Sequence, residues 1–227
     1  TEVGYRTIAV DTARGCPQGG VLSPLLWSLV VDELLRQMTE HGLTCIGYAD
    51  DLVLIARGKY ESTLCDLIQS ALTHTNRWCA RKGLGINPTK TTLVAFTRKR
   101  RLQLKNIRLD GEVIEWRQEV KYLGIYLDSK LTWERHVSEM EKKATSALAI
   151  CRRFAGKTWG CRPSILKWMY TMIVRPVITY GAVAWASRTR YGNTRKQLER
   201  IQRMACVTIT GAMRSCPTAA LEVLLNL

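Results

Sequence analysis

Tyr48-Ala49-Asp50-Asp51 lies between two short apolar segments, residues 44–47 and 52–56, and its reading decides the fold. Strand-forming residues on both sides of a tight four-residue connection predict a β-hairpin. Such a hairpin carries two adjacent carboxylates at or beside its tip. Unpaired carboxylates among apolar neighbours are costly to desolvate and repel each other. A cation is therefore expected beside them, and a divalent metal with oxygen ligands is the simplest candidate. A solvated turn is the other reading, because Asp favours turns on its own account.

Upstream, residues 3–12 alternate weakly and predict a strand or hairpin arm leading into Gly15-Cys16-Pro17-Gln18-Gly19-Gly20. Ser23-Pro24 then reads as N-cap and first position of a helix, with Leu26, Val30, Leu34 and Met38 on one face and Gly42 at the exit. Gly19 and Gly20 allow close backbone approach by a ligand. Gln18 supplies a donor and an acceptor, and the helix N-terminus that follows favours phosphate. These parts suit a nucleotide or template strand, although a plain turn before a helix has the same composition.

Downstream, helical spacing from Leu64 to Cys79 predicts a second helix over 61–82, with Gly83 as its C′ residue. Residues 91–97, 107–109 and 120–127 each read as a strand, and Asp110-Gly111 as a hairpin turn. From Trp133 onward the pattern turns helical, over 134–155, 163–174, 176–187 and 194–209, with Pro163 and Pro176 near starts or breaks. The expected class is α+β: an antiparallel sheet packed on helices over 1–128, then an all-helical region over 129–227.

Charge changes at the same boundary. Residues 1–128 hold 17 basic and 14 acidic side chains, whereas 129–227 hold 17 and 5, within a net charge of +15. A long stretch of one sign favours a polyanionic partner, and nucleic acid is the one expected. The short run Arg98-Lys99-Arg100-Arg101 reads as a solvated loop unless a phosphate lies beside it. Eight cysteines without a C-x-x-C pair, and only three histidines, argue against a zinc module and for reduced thiols in an intracellular compartment. Apolar runs such as 25–31 are far shorter than the ~18 residues of a membrane span.

In this order, the motifs resemble a known family. The segment 15–24 followed by Tyr48-Ala49-Asp50-Asp51 is similar to the reverse transcriptases of non-LTR, LINE-like retrotransposons. Gly83-Leu84-Gly85-Ile86-Asn87-Pro88-Thr89-Lys90-Thr91 and Lys121-Tyr122-Leu123-Gly124-Ile125-Tyr126-Leu127 resemble the family's next two motifs, and Val177 to Trp185 its region beyond the palm. The resemblance implies a partial polymerase palm followed by a basic helical thumb. It makes Asp50 and Asp51 the Mg²⁺ carboxylates of a two-metal site, Asp50 the more direct ligand. Tyr48 and Ala49 would face the primer end and the floor of the site. Pro17, Gln18 and Gly19 would line the template and incoming nucleotide, Lys90 would sit near the triphosphate, and Tyr122, Leu123 and Gly124 would hold the primer terminus.

The implied partners are an RNA template, a DNA primer or RNA–DNA duplex, dNTPs, and the rest of a polyprotein with fingers, upstream palm and endonuclease, acting in the nucleus without a membrane. The family's earlier motif, with a further catalytic Asp, has no counterpart here, because Asp11 lies too close to the loop and lacks the surrounding pattern. The chain is therefore expected to begin inside the palm, to expose apolar surface and not to polymerise by itself. A non-catalytic nucleic-acid-binding remnant of such a polymerase is the alternative.

Overall fold

The computed structural model describes residues 2–3 and 6–7 as backbone, then Gly15, residues 19–156 and residues 159–227. Asp11, Cys16, Pro17 and Gln18, and most of the predicted arm at 3–12, lie outside the described residues. The chain divides into two compact units. One holds residues 1–93 and 99–115, the other 94–98 and 116–227.

The first unit is built from β1 (Glu2–Val3), β2 (Arg6–Thr7), α1 (Ser23–Glu40), β3 (Thr44–Tyr48), β4 (Asp51–Ile55) and α2 (Glu61–Lys82). After them come β5 (Leu93–Val94), whose second residue lies in the other unit, β6 (Ile107–Leu109) and β7 (Glu112–Ile114). Ladders β1–β2, β3–β4 and β6–β7 are antiparallel hairpins. The strand expected over 91–97 is only two residues long.

Helix α1 starts one residue earlier than its Ser-Pro signal implies. Leu22 is the N-cap, without a side-chain cap bond, and Ser23 is already helical, its N–H donating to Gly20 O at 3.2 Å. The exit is as expected: Gly42 takes φ +77°, and Leu43 N–H reaches back to Met38 O at 3.1 Å, which satisfies an orphan carbonyl. Helix α2 runs over the predicted 61–82 and ends on Gly83 at φ +74°, with Leu84 N–H on Cys79 O at 2.8 Å. Its face Ala71, Trp78 and Cys79 packs with Leu34, Met38 and Leu43 into one core, which Cys45, Leu52 and Leu54 of the β3–β4 hairpin cover. Burying a side chain as large as Trp78 contributes about 3 kcal/mol of apolar transfer.

The β6–β7 hairpin, closed by Asp110 and Gly111 at φ +51° and +83°, is held on α2 by two side-chain amides, one of them Asn76, whose Nδ2 donates to Asp110 Oδ1 at 2.5 Å. Gln69 Nε2 donates to Arg108 O at 2.9 Å and Gln69 Oε1 accepts from Arg108 N at 2.8 Å, so the side chain imitates a strand partner.

The second unit contains β8 (Trp116–Arg117), β9 (Glu119–Tyr122), β10 (Ile125–Asp128), α3 (Glu134–Arg152), α4 (Pro163–Met169), α5 (Arg175–Thr179), α6 (Ala182–Trp185), α7 (Gly192–Thr210) and α8 (Thr218–Leu225). The single strand expected over 120–127 is a hairpin, β9–β10, turned by Leu123 and Gly124 at φ +44° and +81°. Two adjacent residues with positive φ suit the twist of a two-residue loop, and a leucine before glycine hid this from a composition reading. The hairpin packs on α3: Tyr126 N–H donates to His136 Nδ1 at 3.4 Å, and its ring lies 5.6 Å from both Lys121 Nζ and Arg135 Cζ. The change of secondary-structure type at 128 thus falls inside a compact unit, not at its edge.

Two expected helices are interrupted. A π-turn, Tyr170–Val174, joins α4 to α5 directly ahead of Pro176, where the missing N–H and the ring would break an α-helical ladder. The segment expected as a helix over 176–187 breaks at Tyr180-Gly181, continues as α6 and then as a 3₁₀ turn, Ala186–Arg190. Helix α8 is an element that the sequence pattern did not mark. Its Leu221 and Leu225 join Leu148, Leu166, Tyr170, Val174, Ile201 and Cys206 in the unit's main core.

Candidate functional site

The β3–β4 ladder runs in register from Thr44↔Ile55 to Tyr48↔Asp51, which leaves Ala49 and Asp50 as a two-residue loop. Period-two alternation turns Cys45, Leu52 and Leu54 to the core and leaves Tyr48, Asp50 and Asp51 exposed. The predicted carboxylate-bearing hairpin is therefore present, with Asp50 in the turn and Asp51 as the first residue of the returning strand.

The turn is strained and braced. Ala49 takes φ +52°, a region that costs an L-residue about 1 kcal/mol. Its carbonyl accepts a hydrogen bond from Trp27 Nε1 of α1 at 2.6 Å. Gly47 lets the hairpin lie close on the same helix face: a Cβ there would stand 3.5 Å from Val31 Cγ1 and 3.6 Å from Leu35 Cδ2. The face of α1 beneath the hairpin is thus Trp27, Val31, Leu35 and Met38. The expected stripe through Leu26 and Val30 is wrong in its first half, since these are 46% and 38% exposed while Leu34 and Met38 are buried. Trp27 was not singled out from the sequence; its i, i+4, i+8 spacing with Val31 and Leu35 was the signal available.

Gly19 takes φ +82°, with open space where a Cβ would stand. Lys90 is exposed in a turn organised by Asn87, whose Oδ1 accepts from Thr89 N–H at 2.9 Å and Oγ1 at 2.7 Å. Among the described residues no hydrogen bond or ion pair joins Lys90 to Asp50 or Asp51. Tyr122, Leu123 and Gly124 belong to the second unit, at the β9–β10 turn.

Exposed carboxylate oxygens are hard donors suited to a divalent cation. Asp50 and Asp51 fit as part of such a ligand set, although among the described residues no group of three or more His, Cys, Asp or Glu side chains stands ready to hold a metal ion. The seven described cysteines are free thiols. No described helix is long and apolar enough to cross a membrane.

The family model for reverse transcriptase (RNA-dependent DNA polymerase) matches residues 4–127. The Pol polyprotein of the type-1 retrotransposable element R1 of Bradysia coprophila is 28% identical over 94% of this chain and 21% of its own length. The RNA-directed DNA polymerase of the mobile element jockey of Drosophila melanogaster is 28% identical over 78% of this chain and 20% of its own length. A putative 115 kDa protein of element R1DM from the same fly is 24% identical over 96% of the chain. The chain thus spans about a fifth of the length of these relatives. No solved structure matches it significantly. With the paired carboxylates on their hairpin and a family match across more than half its length, the chain belongs to the reverse transcriptase (RNA-dependent DNA polymerase) family, in the line of the non-LTR retrotransposons.

Proposed function

We propose that this chain supplies the carboxylate hairpin and the primer-side region of an RNA-directed DNA polymerase that extends a primer 3′-hydroxyl on an RNA template. The observation that carries the reading is the presentation of Asp50 and Asp51, both exposed, on a two-residue turn whose backbone Trp27 braces. A solvated turn needs no such brace. Residues 1–128 are assigned to the palm and residues 129–227 to a thumb that grips duplex phosphates.

Asp50 and Asp51 would hold Mg²⁺. Once bound, paired divalent ions lower the pKa of the primer hydroxyl and stabilise the charge of the departing pyrophosphate. The protein's own work is placement. The β3–β4 ladder holds the two carboxylates on a rigid element, and Tyr48, paired across the ladder with Asp51, is exposed where the primer end would lie. Pro17, Gln18 and Gly19 would line the template and incoming nucleotide. Lys90, exposed on its turn, would meet the triphosphate. Tyr122, Leu123 and Gly124 would hold the primer terminus. The partners are accordingly an RNA template, a DNA primer, dNTPs and the remaining polyprotein segments, with action in the nucleus.

Primer extension on an RNA template by the complete gene product containing this chain tests the reading. Wild-type synthesis is expected, with loss of at least a hundredfold in Asp50→Asn and in Asp51→Asn. Extension that survives either change would refute it. Duplex binding without any extension would instead support a non-catalytic binding remnant.

A further inference from the structure

In the second unit, the β9–β10 turn and the corner between α5 and α6 interlock across 57 residues of sequence. The corner has the dihedrals of a type II turn, Tyr180 at φ −57°, ψ +124° and Gly181 at φ +61°, ψ +20°. Tyr180 Oη donates to Leu123 O at 2.7 Å. The edge of the Tyr180 ring comes 3.1 Å from the position that a Cβ on Gly124 would occupy. In return, Ile125 Cδ1 comes 2.5 Å from the position that a Cβ on Gly181 would occupy. Each turn therefore has a glycine where the other's side chain enters.

The corner is itself anchored. Trp185 Nε1 donates to Tyr180 O at 3.0 Å, and the Trp185 ring is buried with Val137 and Met140 of α3. Restraint thus runs from the helical core through Trp185 and Tyr180 to the backbone of the Leu123–Gly124 turn. Burial does not demand this bond. Tyr180 is 55% exposed, and water could serve both the hydroxyl and the carbonyl. A two-residue hairpin loop also closes through its own ladder, here Tyr122↔Ile125. What the bond adds is a fixed orientation for the turn.

Resting on the reading that this turn meets the primer end, we propose that Tyr180 is a positioning residue for polymerisation, acting through the Leu123 carbonyl to hold the turn, and with it the primer 3′-end. It contacts the turn, not the substrate.

Single-turnover nucleotide addition by the complete gene product tests this, with Asp50→Asn as the reference. Tyr180→Phe keeps the ring against Gly124 and removes only the hydroxyl. The rate constant for the first addition is expected to fall about fivefold, with KM for dNTP, burst amplitude and melting temperature little changed. A purely structural role would lower the amplitude and melting temperature and leave the rate constant of the active fraction alone; that result, or an unchanged rate, overturns the proposal.

Gly181→Ala, which drives the corner into Ile125, is expected to slow the same step, and adding Ile125→Val to restore part of the rate by removing Cδ1. Addition by Gly181→Ala at the wild-type rate also overturns it. Extension by the wild type that persists in Asp50→Asn refutes the polymerase reading itself, and the positioning role with it. Normal Asp50-dependent extension with an indifferent Tyr180→Phe refutes the positioning role alone.

Discussion

Ala49 holds an unfavourable backbone conformation while its carbonyl is held by Trp27, so the turn beside Asp50 is shaped from outside as much as from within. Trp27→Phe is expected to slow primer extension several-fold while costing about 1 kcal/mol of stability, the typical worth of one such bond; parallel extension and urea-denaturation measurements check it. Asp128 shows the same economy at a structural position. Its carboxylate accepts from the backbone of Lys130 at 3.1 Å, Thr132 at 2.9 Å and Trp133 at 2.8 Å, and from Thr132 Oγ1 at 3.1 Å, which ties β10 to the start of α3. Burial pushes this carboxyl up, but those donors outweigh it and its pKa lies below the usual value. A carboxylate depressed in the folded state stabilises above its unfolded pKa, and that contribution is lost as pH falls through the folded one. Asp128→Asn should therefore cost about 1–2 kcal/mol at pH 7 and flatten the stability loss below about pH 4, as denaturant melts across pH will show. Acidic pairs and glycine loops stand out in a sequence because their chemistry is local. Trp27 and Asp128 do not, since their partners are set by how helix and hairpin meet.

At the scale of elements, the helices with a full apolar face and a glycine exit were legible. Helix α2 combines both, and Gly83 at φ +74° carries its end. Gly83→Ala is expected to cost about 1 kcal/mol through left-handed strain, measurable by urea denaturation. Legibility failed wherever one side chain was shared between two elements. The stripe assigned to α1 was rotated because its apolar residues nearly encircle the N-terminal half, so periodicity alone could not say which face the hairpin covers. The segment around Pro176 reads as helix on both sides. The π-turn before it and the Tyr180-Gly181 corner after it are tertiary accommodations, one to a missing donor and one to the β9–β10 turn.

At the scale of the whole molecule, the second unit carries 20 basic and 7 acidic side chains within the net charge of +15. Binding of the chain to RNA–DNA duplex should weaken linearly in log salt, with a slope of about −0.9 per phosphate contacted. Replacing Arg195 or Lys196 by Gln is expected to lower that slope by up to about 1 each without altering sequence preference, as filter binding across salt would record; a salt-independent affinity would contradict it. The N-terminal half of α1 leaves Leu22, Leu25 and Leu29 each about 60% exposed, the open apolar surface expected from the sequence. Leu25→Glu together with Leu29→Lys should raise solubility, as precipitation assays would record, with a stability change within about 0.5 kcal/mol per site.

By itself the sequence determined the α+β class, the two carboxylates on a hairpin, the span of α2, the charge asymmetry and the family, because each rests on local periodicity, turn chemistry or motif order. Tertiary structure alone decided which face of α1 braces the turn, that the β9–β10 hairpin belongs with the helices, and that Tyr180 reaches Leu123. Those depend on side chains distant in sequence meeting at one backbone atom, and no pattern within a window of residues records that meeting.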